Sequence, residues 1–143
     1  MIDVEVNVVR QITVTAPVNQ RIETIVTRTL EAERADGAWV VSIVFVDDDE
    51  IQRMHRDFMA IDEPTDIMTF PTTLEDDGAI GGDIVISVET ASSQGRDHGN
   101  DQAGELEFLV VHGLLHLLGW NDDRPEDRER MLRRQAEILE TIG

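Results

Sequence analysis

Residues 101–119 read Asp101-Gln-Ala-Gly-Glu-Leu-Glu-Phe-Leu-Val-Val-His-Gly-Leu-Leu-His-Leu-Leu-Gly119, and this stretch decides the fold. From Phe108 onward it is apolar on every side apart from two histidines, the mark of a helix enclosed by other elements rather than laid on a surface. A helix is therefore expected from Asp101 to Leu118 at the centre of the molecule. Gly119 follows at the position that favours a left-handed residue and ends it.

The flanks supply what such a helix packs against. Trp39 to Val46 is short and rich in β-branched residues, so it reads as a buried strand. Asp3 to Val9 alternates, with Val4, Val6 and Val8 on one face, as a half-buried strand does. Between them, Asn19 to Ala35 sets Ile22, Ile25, Val26 and Leu30 at helical spacing, and Asp36-Gly37 closes that helix. Asp47-Asp48-Asp49 offers an N-cap and an acidic first turn for a helix to about Phe58, where anions meet the positive end of the dipole. Ile67 to Phe70 is a short strand. Pro71 to Gly82 reads as a loop that holds Glu75-Asp76-Asp77-Gly78. Asp83 to Val88 is the next strand, Glu89 to Asp97 suits a short helix, and Pro125 opens a charged helix through Ile142. The order β-α-β-α-β-β-α-α, with that short helix besides, argues for an α/β (α+β) sandwich with a largely buried sheet. No repeat or linker interrupts it, so a single domain over residues 1–143 is expected.

Composition narrows the chemistry. Hydrophobic residues make up 41% of the chain, enough for one core, and aromatics only 4%, so that core is aliphatic. There is no cysteine, which excludes disulfides, thiolate metal sites and cysteine nucleophiles. No apolar run reaches the ~18 residues that span a bilayer. Met1-Ile-Asp-Val-Glu-Val lacks the basic start and apolar centre of a secretory signal, so a cytoplasmic protein without membrane contact is expected. All twelve basic residues are arginine, and 30 acids bring the formal charge to −18. A nucleic-acid binder ordinarily carries a basic face. Work on RNA would therefore rest on locally clustered arginines, a bound cation or a basic partner protein. The acidic surface itself aids solubility and also suits adaptation to salt.

His112 and His116 stand four apart on the central helix, so their rings stack on one face a turn apart. That spacing lets two imidazoles share one divalent ion. Gly119 turns the chain back, and Asp122, in preference to Asp123, completes a three-point clamp. A fourth position is left to water, which the ion acidifies, so that His112 and His116 act in catalysis through metal-bound water. The alternative is two hydrogen-bonded core histidines. On so apolar a segment that requires partners for four ring nitrogens, two of which a shared ion would satisfy. A zinc peptidase of the H-E-x-x-H type needs glutamate beside the first histidine, and Gly113 stands there. His55 and His98 lie on polar stretches and read as surface residues.

At this point the chain resembles a known family. His112 to Asp122, H-G-L-L-H-L-L-G-W-N-D, is similar to the H-G-x-L-H-L-x-G-Y-D-H signature of the YbeY family of rRNA-maturation endoribonucleases. Phe58 to Pro71, F-M-A-I-D-E-P-T-D-I-M-T-F-P, resembles the family's Y-R-x-x-D-x-P-T-D-V-L-S-F-P. Gly82-Asp83-Ile84-Val85-Ile86 resembles its L-G-D-I-x-I strand, and Glu105-Leu106 sits where the family has Glu-Leu. The blocks keep order and spacing from about Ile51 to Asp123.

The resemblance implies a single-strand-specific, metal-dependent endoribonuclease that trims the 3′ end of small-subunit rRNA and serves ribosome quality control. It implies a mostly parallel central sheet of about four strands, one of them antiparallel, flanked by helices. It implies zinc as the divalent metal, held by His112, His116 and Asp122, and rRNA and the small ribosomal subunit as partners, with a basic ribosomal protein a further one. Two positions depart from the pattern. Asp122 stands for the family's third histidine and Asn121 for its aspartate. An aspartate lowers the ion's effective charge and so makes bound water a weaker acid. Met59 stands where the family has arginine, and Arg56 or Arg53 on the same expected helix is the candidate phosphate contact. Asp62, Pro64, Thr65 and Asp66 read as a turn entering a strand, with Pro fixing φ. Asp83 reads as structural, with orientation of a histidine ring the alternative, and Glu89 and Glu105 are the candidate general bases. Two other readings stay open: a non-catalytic ribosome-assembly factor with a structural metal, and a metal hydrolase of another substrate.

Overall fold

A computed structural model describes residues 2–74 and 79–143. Among these, the chain runs β1 (Ile2–Arg10), α1 (Asn19–Ala32), β2 (Gly37–Val46), α2 (Asp48–Met59), β3 (Ile67–Leu74), β4 (Ala79–Ser87), α3 (Val88–His98), α4 (Gln102–Leu117) and α5 (Pro125–Ile142). The strands form one sheet in the order β1-β2-β4-β3. β1 and β2 are parallel, β2 and β4 are parallel, and β3 pairs antiparallel with β4. The mostly parallel sheet with one antiparallel strand is thus as expected, and the chain is a single α/β domain.

Alternation along the strands builds two unequal layers. Trp39, Val41, Ile43, Phe45, Ile84 and Ile86 point to one face and join Ile22, Ile25, Val26, Leu30, Leu106, Val110, Leu114 and Met131 in the main core. Val46, Met68 and Val85 point the other way and meet Ile51 of α2. On that second face Val9 remains 44% exposed and Val44 is only partly buried, so the sheet is enclosed on one side and only partly covered on the other. This corrects the expectation of a largely buried sheet. One amphipathic helix cannot cover four strands.

Helix α4 is the centre, in contact with α1, α3, α5, β3 and β4. Its approach to the sheet depends on Gly113. A Cβ there would lie 2.7 Å from Ile84 Cγ2 and 3.1 Å from Ile67 Cδ1, closer than packed atoms tolerate.

Three boundaries differ from the sequence reading. Strand extends through Pro71–Leu74 and resumes at Ala79, where a loop was expected. β3 is an edge strand, so the N–H that Pro71 lacks takes no ladder bond from the sheet. Residues 75–78 of that expected loop lie outside the described residues. The short helix after β4 is a full element of 11 residues, α3, capped by Ser87, which accepts from the Thr90 N–H. Helix α1 stops at Ala32 because Arg34 takes positive φ, and the Ala35 N–H then returns to the Leu30 carbonyl at 2.9 Å.

Candidate metal centre and its cleft

The two histidines of α4 stand with ring centroids 4.6 Å apart and planes at 79°. Their Nε2 atoms are 3.0 Å from each other. Asp122 Oδ2 lies 3.6 Å from the first and 3.4 Å from the second. The carboxylate returns because α4 ends in a Schellman turn, with the Gly119 N–H on the His116 carbonyl and the Trp120 N–H on the Leu115 carbonyl. Gly119 has φ of +100°, which only glycine adopts cheaply. The loop beyond is fastened from outside: Glu33 accepts from the Trp120 indole and from Arg134. Asn121 then accepts from the Asp123 N–H and so directs the neighbouring Asp122 inward.

The tautomers follow from the partners. His116 Nδ1 faces the Trp120 carbonyl at 3.1 Å, and a carbonyl only accepts, so this nitrogen carries the proton. His112 Nδ1 faces Gln135 Oε1 at 3.0 Å, while Gln135 Nε2 donates to the Phe108 carbonyl, which fixes the amide's orientation. Both Nε2 atoms are therefore lone-pair acceptors. With the rings in these neutral tautomers, two nitrogens and a carboxylate oxygen converge as acceptors, an arrangement that a shared cation satisfies. The separations fit one: bonds of about 2.0–2.1 Å in a tetrahedral shell place ligands roughly 3.4 Å apart. His112, His116 and Asp122 are the group among the described residues that can hold an ion.

Burial drives the His112 pKa below its ordinary 6.5, and neighbouring His116 adds to this. The Gln135 hydrogen bond and the Asp122 and Asp66 charges oppose it. A folded-state pKa below the unfolded one means that the unfolded chain binds more protons, so stability rises with pH across that interval. The metal-free protein is accordingly expected to lose stability as pH falls below about 6.5. Urea midpoints taken between neutrality and pH 5.5 check this, and the His112 part of the slope should vanish in His112→Asn.

The group opens into a cleft of about 650 Å³ whose other walls include His55, Phe58, Met59, Thr65, Asp66 and Phe70. None of the described lining residues is an arginine. Arg56, the candidate phosphate contact, is not among them: its guanidinium turns to Asp57 at 3.4 Å, and Arg53 pairs with Glu50. Both are more than half exposed, and Arg53 borders a neighbouring hollow beside α2 rather than this cleft. Met59, in the place of the family's arginine, does line the cleft.

The general-base candidates are elsewhere too. Glu89 accepts from the Asp48 N–H and caps α2. Glu105, almost wholly buried, is held by Asn100 and lies 3.5 Å from His98. Asp83 is on the opposite sheet face, exposed, and orients no histidine. Asp62 accepts from Gln52 in the turn. Sequence reasoning missed two groups. Asp66, read as a turn residue, faces the cleft and acts electrostatically on His112. His55, read as surface, directs Nδ1 to the Glu63 carbonyl at 2.8 Å and joins the lining. A helical wheel that set His55 and Phe58 on one face would have signalled it.

An open centre of two imidazoles and a carboxylate on this sandwich defines the class as metal-dependent hydrolases. Residues 5–143 match the family model described as Endoribonuclease YbeY. Proteins named Endoribonuclease YbeY are similar throughout: one from Brevibacillus brevis is 34% identical, with 89% of this chain and 91% of that one covered. One from Carboxydothermus hydrogenoformans is 39% identical over 82% and 81%. A solution structure from Thermotoga maritima shares the fold, with a TM-score of 0.65, 24% identity, and 99% of this chain and 89% of that one covered. The chain belongs to the endoribonuclease YbeY family of metal-dependent nucleases.

Proposed function

We propose that this protein cuts single-stranded RNA at a centre in which His112, His116 and Asp122 hold one zinc ion, acting in 3′ maturation of small-subunit rRNA and in ribosome quality control. The observation that carries it is the convergence of three acceptor atoms within 3.0–3.6 Å, without a donor, on the floor of an open cleft. Three protein ligands leave coordination room, as catalytic sites do and closed structural sites do not. This favours an enzyme over an assembly factor with a structural metal.

The bound ion supplies Lewis-acid activation of water and of the phosphodiester. The chain's own residues do the rest. Gln135 and the Trp120 carbonyl hold each imidazole in the tautomer that presents Nε2. Asp66, in the same cleft, is the carboxylate placed to take a proton, in the role that neither Glu89 nor Glu105 is positioned to fill. A cytoplasmic location on the small subunit, aided by a basic ribosomal protein that docks on the −18 surface, completes the reading. Among the described residues, no helix is long and apolar enough to cross a membrane.

The test is purified protein on single-stranded rRNA fragments with chelator, then with zinc, manganese or magnesium restored. Cleavage lost with chelator and restored best by zinc supports the reading; cleavage indifferent to chelator sinks it. Gln135→Leu, which removes the acceptor for His112 Nδ1, is expected to weaken metal affinity by about 10–100-fold, as loss of such supporting bonds typically does. Competition with a chromophoric chelator measures it.

A further inference from the structure

Resting on the nuclease reading above, we propose that an unpaired strand is laid across three adjoining hollows. One base stacks on Phe58 to one side of the metal centre, and a phosphate is held by Arg128 to the other. The central cleft shares Phe58 and Phe70 with a second hollow of about 580 Å³ that runs beside α2 over the open sheet face. It shares Asp66 and His112 with a third, of about 540 Å³, which contains Arg128. The metal centre thus lies between two further stretches of concave surface.

Each side offers a different handle. Phe58 is 68% exposed in a protein with few aromatics, yet its ring is held, edge to face, by Phe70 at 5.5 Å. Met59 beside it is 57% exposed. An open aromatic face of fixed orientation suits a nucleobase, because every base has a π-face and stacking is tolerant of sequence. A duplex offers no such face, since its bases are already stacked on one another. The cleft has no arginine among its described lining residues, so recognition there falls to bases and to the ion rather than to a basic floor. On the far side, Arg128 enters no ion pair or side-chain hydrogen bond, whereas Arg130, Arg133 and Arg134 on the same helix are each paired with carboxylates. It is the unengaged guanidinium in a hollow that His112 borders, and it stands in for the arginine that Met59 replaces.

The experiment compares zinc-loaded wild type, Phe58→Ala, Phe58→Trp, Arg128→Ala and, as an exposed control, Arg133→Ala on a single-stranded oligoribonucleotide across a salt series. Phe58→Ala is expected to raise KM by about tenfold or more, the range that stacking losses give, with kcat little changed and Phe58→Trp restoring KM. Arg128→Ala is expected to raise KM and to flatten the dependence of log KM on log salt by about 0.7, the loss of one phosphate contact on a single strand. Phe58→Ala should leave that slope alone, and Arg133→Ala should match wild type. If wild type cleaves but only one of the two variants behaves this way, or neither does, the strand path is wrong. If wild type cuts no RNA with any divalent ion, the nuclease reading itself has failed. Unchanged metal content and circular dichroism confirm that each variant is folded.

Discussion

Replacement of His116 by alanine is expected to lower kcat/KM on single-stranded RNA by about a thousandfold or more, since a catalytic ion is worth several kcal/mol of transition-state stabilisation and each ~1.4 kcal/mol is tenfold. The reason lies in the geometry. Without its second imidazole the centre keeps one nitrogen and one carboxylate, and the ion falls from three protein ligands to two. The alanine variant should still fold, because His116 lies in the last turn of α4, 25% exposed. It should therefore separate loss of metal from loss of structure. Elemental analysis after dialysis is expected to find about one ion per chain in wild type and little in the variant. His112→Ala should do the same. The double variant should be scarcely worse than either alone, because groups that act as a unit are not additive. Cleavage that survives both replacements would mean that another centre, or another protein in the preparation, does the cutting.

The second large effect is on folding. Gly113→Glu would build the H-E-x-x-H pattern of a zinc peptidase into this chain, and the expected outcome is little folded protein rather than a new activity. The Cβ alone would meet Ile84 Cγ2 at 2.7 Å, and Ile84 is fully buried. The carboxylate beyond it would be pressed into aliphatic surroundings without a partner. Overpacking costs about 1–3 kcal/mol, and an uncompensated buried charge costs a further ~3–5 kcal/mol. A domain of this size has only about 5–15 kcal/mol in all. Gly113→Ala isolates the steric part: a gain of about 0.8–1.0 kcal/mol in helix propensity is set against the clash, and a net loss is expected. Urea denaturation decides the sign. A Gly113→Ala protein more stable than wild type would show that Ile84 yields and that the helix has room to withdraw from the sheet. The absent glutamate is thus a consequence of packing as much as of chemistry.

What the sequence disclosed and what it withheld divide along physical lines. Periodicity located β1 and α1, because burial on one face leaves its signature at the next alternate residue or the next turn; β-branched content, capping residues and all-round apolarity located β2, α2 and α4. The spacing of His112, His116 and Asp122 disclosed the metal group, since two of them share one helix and a glycine return fixes the third. Edges failed where cooperation with a neighbour sets them. Pro71 looked like a loop residue until β4 placed it on an outer strand. Arg56 and His55 were each assigned the other's surroundings. One residue of helix separates them, about 100° of rotation, and nothing in α2 alone says which face looks toward α4. Asp66 was hidden for a different reason. A carboxylate in a turn has a complete local explanation, so its second neighbourhood is visible only when α4 is packed beside it. Glu105 misled by the converse: proximity in sequence to His112 put it almost two turns away along the helix, where it answers Asn100 instead.

The fastening of the loop after α4 to the far end of α1 has a temporal meaning. Glu33 reaches Trp120 across 87 positions and Arg134 across 101. A chain still emerging, or one whose first helix has come away, retains two imidazoles a turn apart but has no anchored carboxylate opposite them. On the function proposed above, tight uptake of an ion would wait on docking of the earliest helix against the latest, and the capacity to cut would arrive with completion of the fold rather than ahead of it.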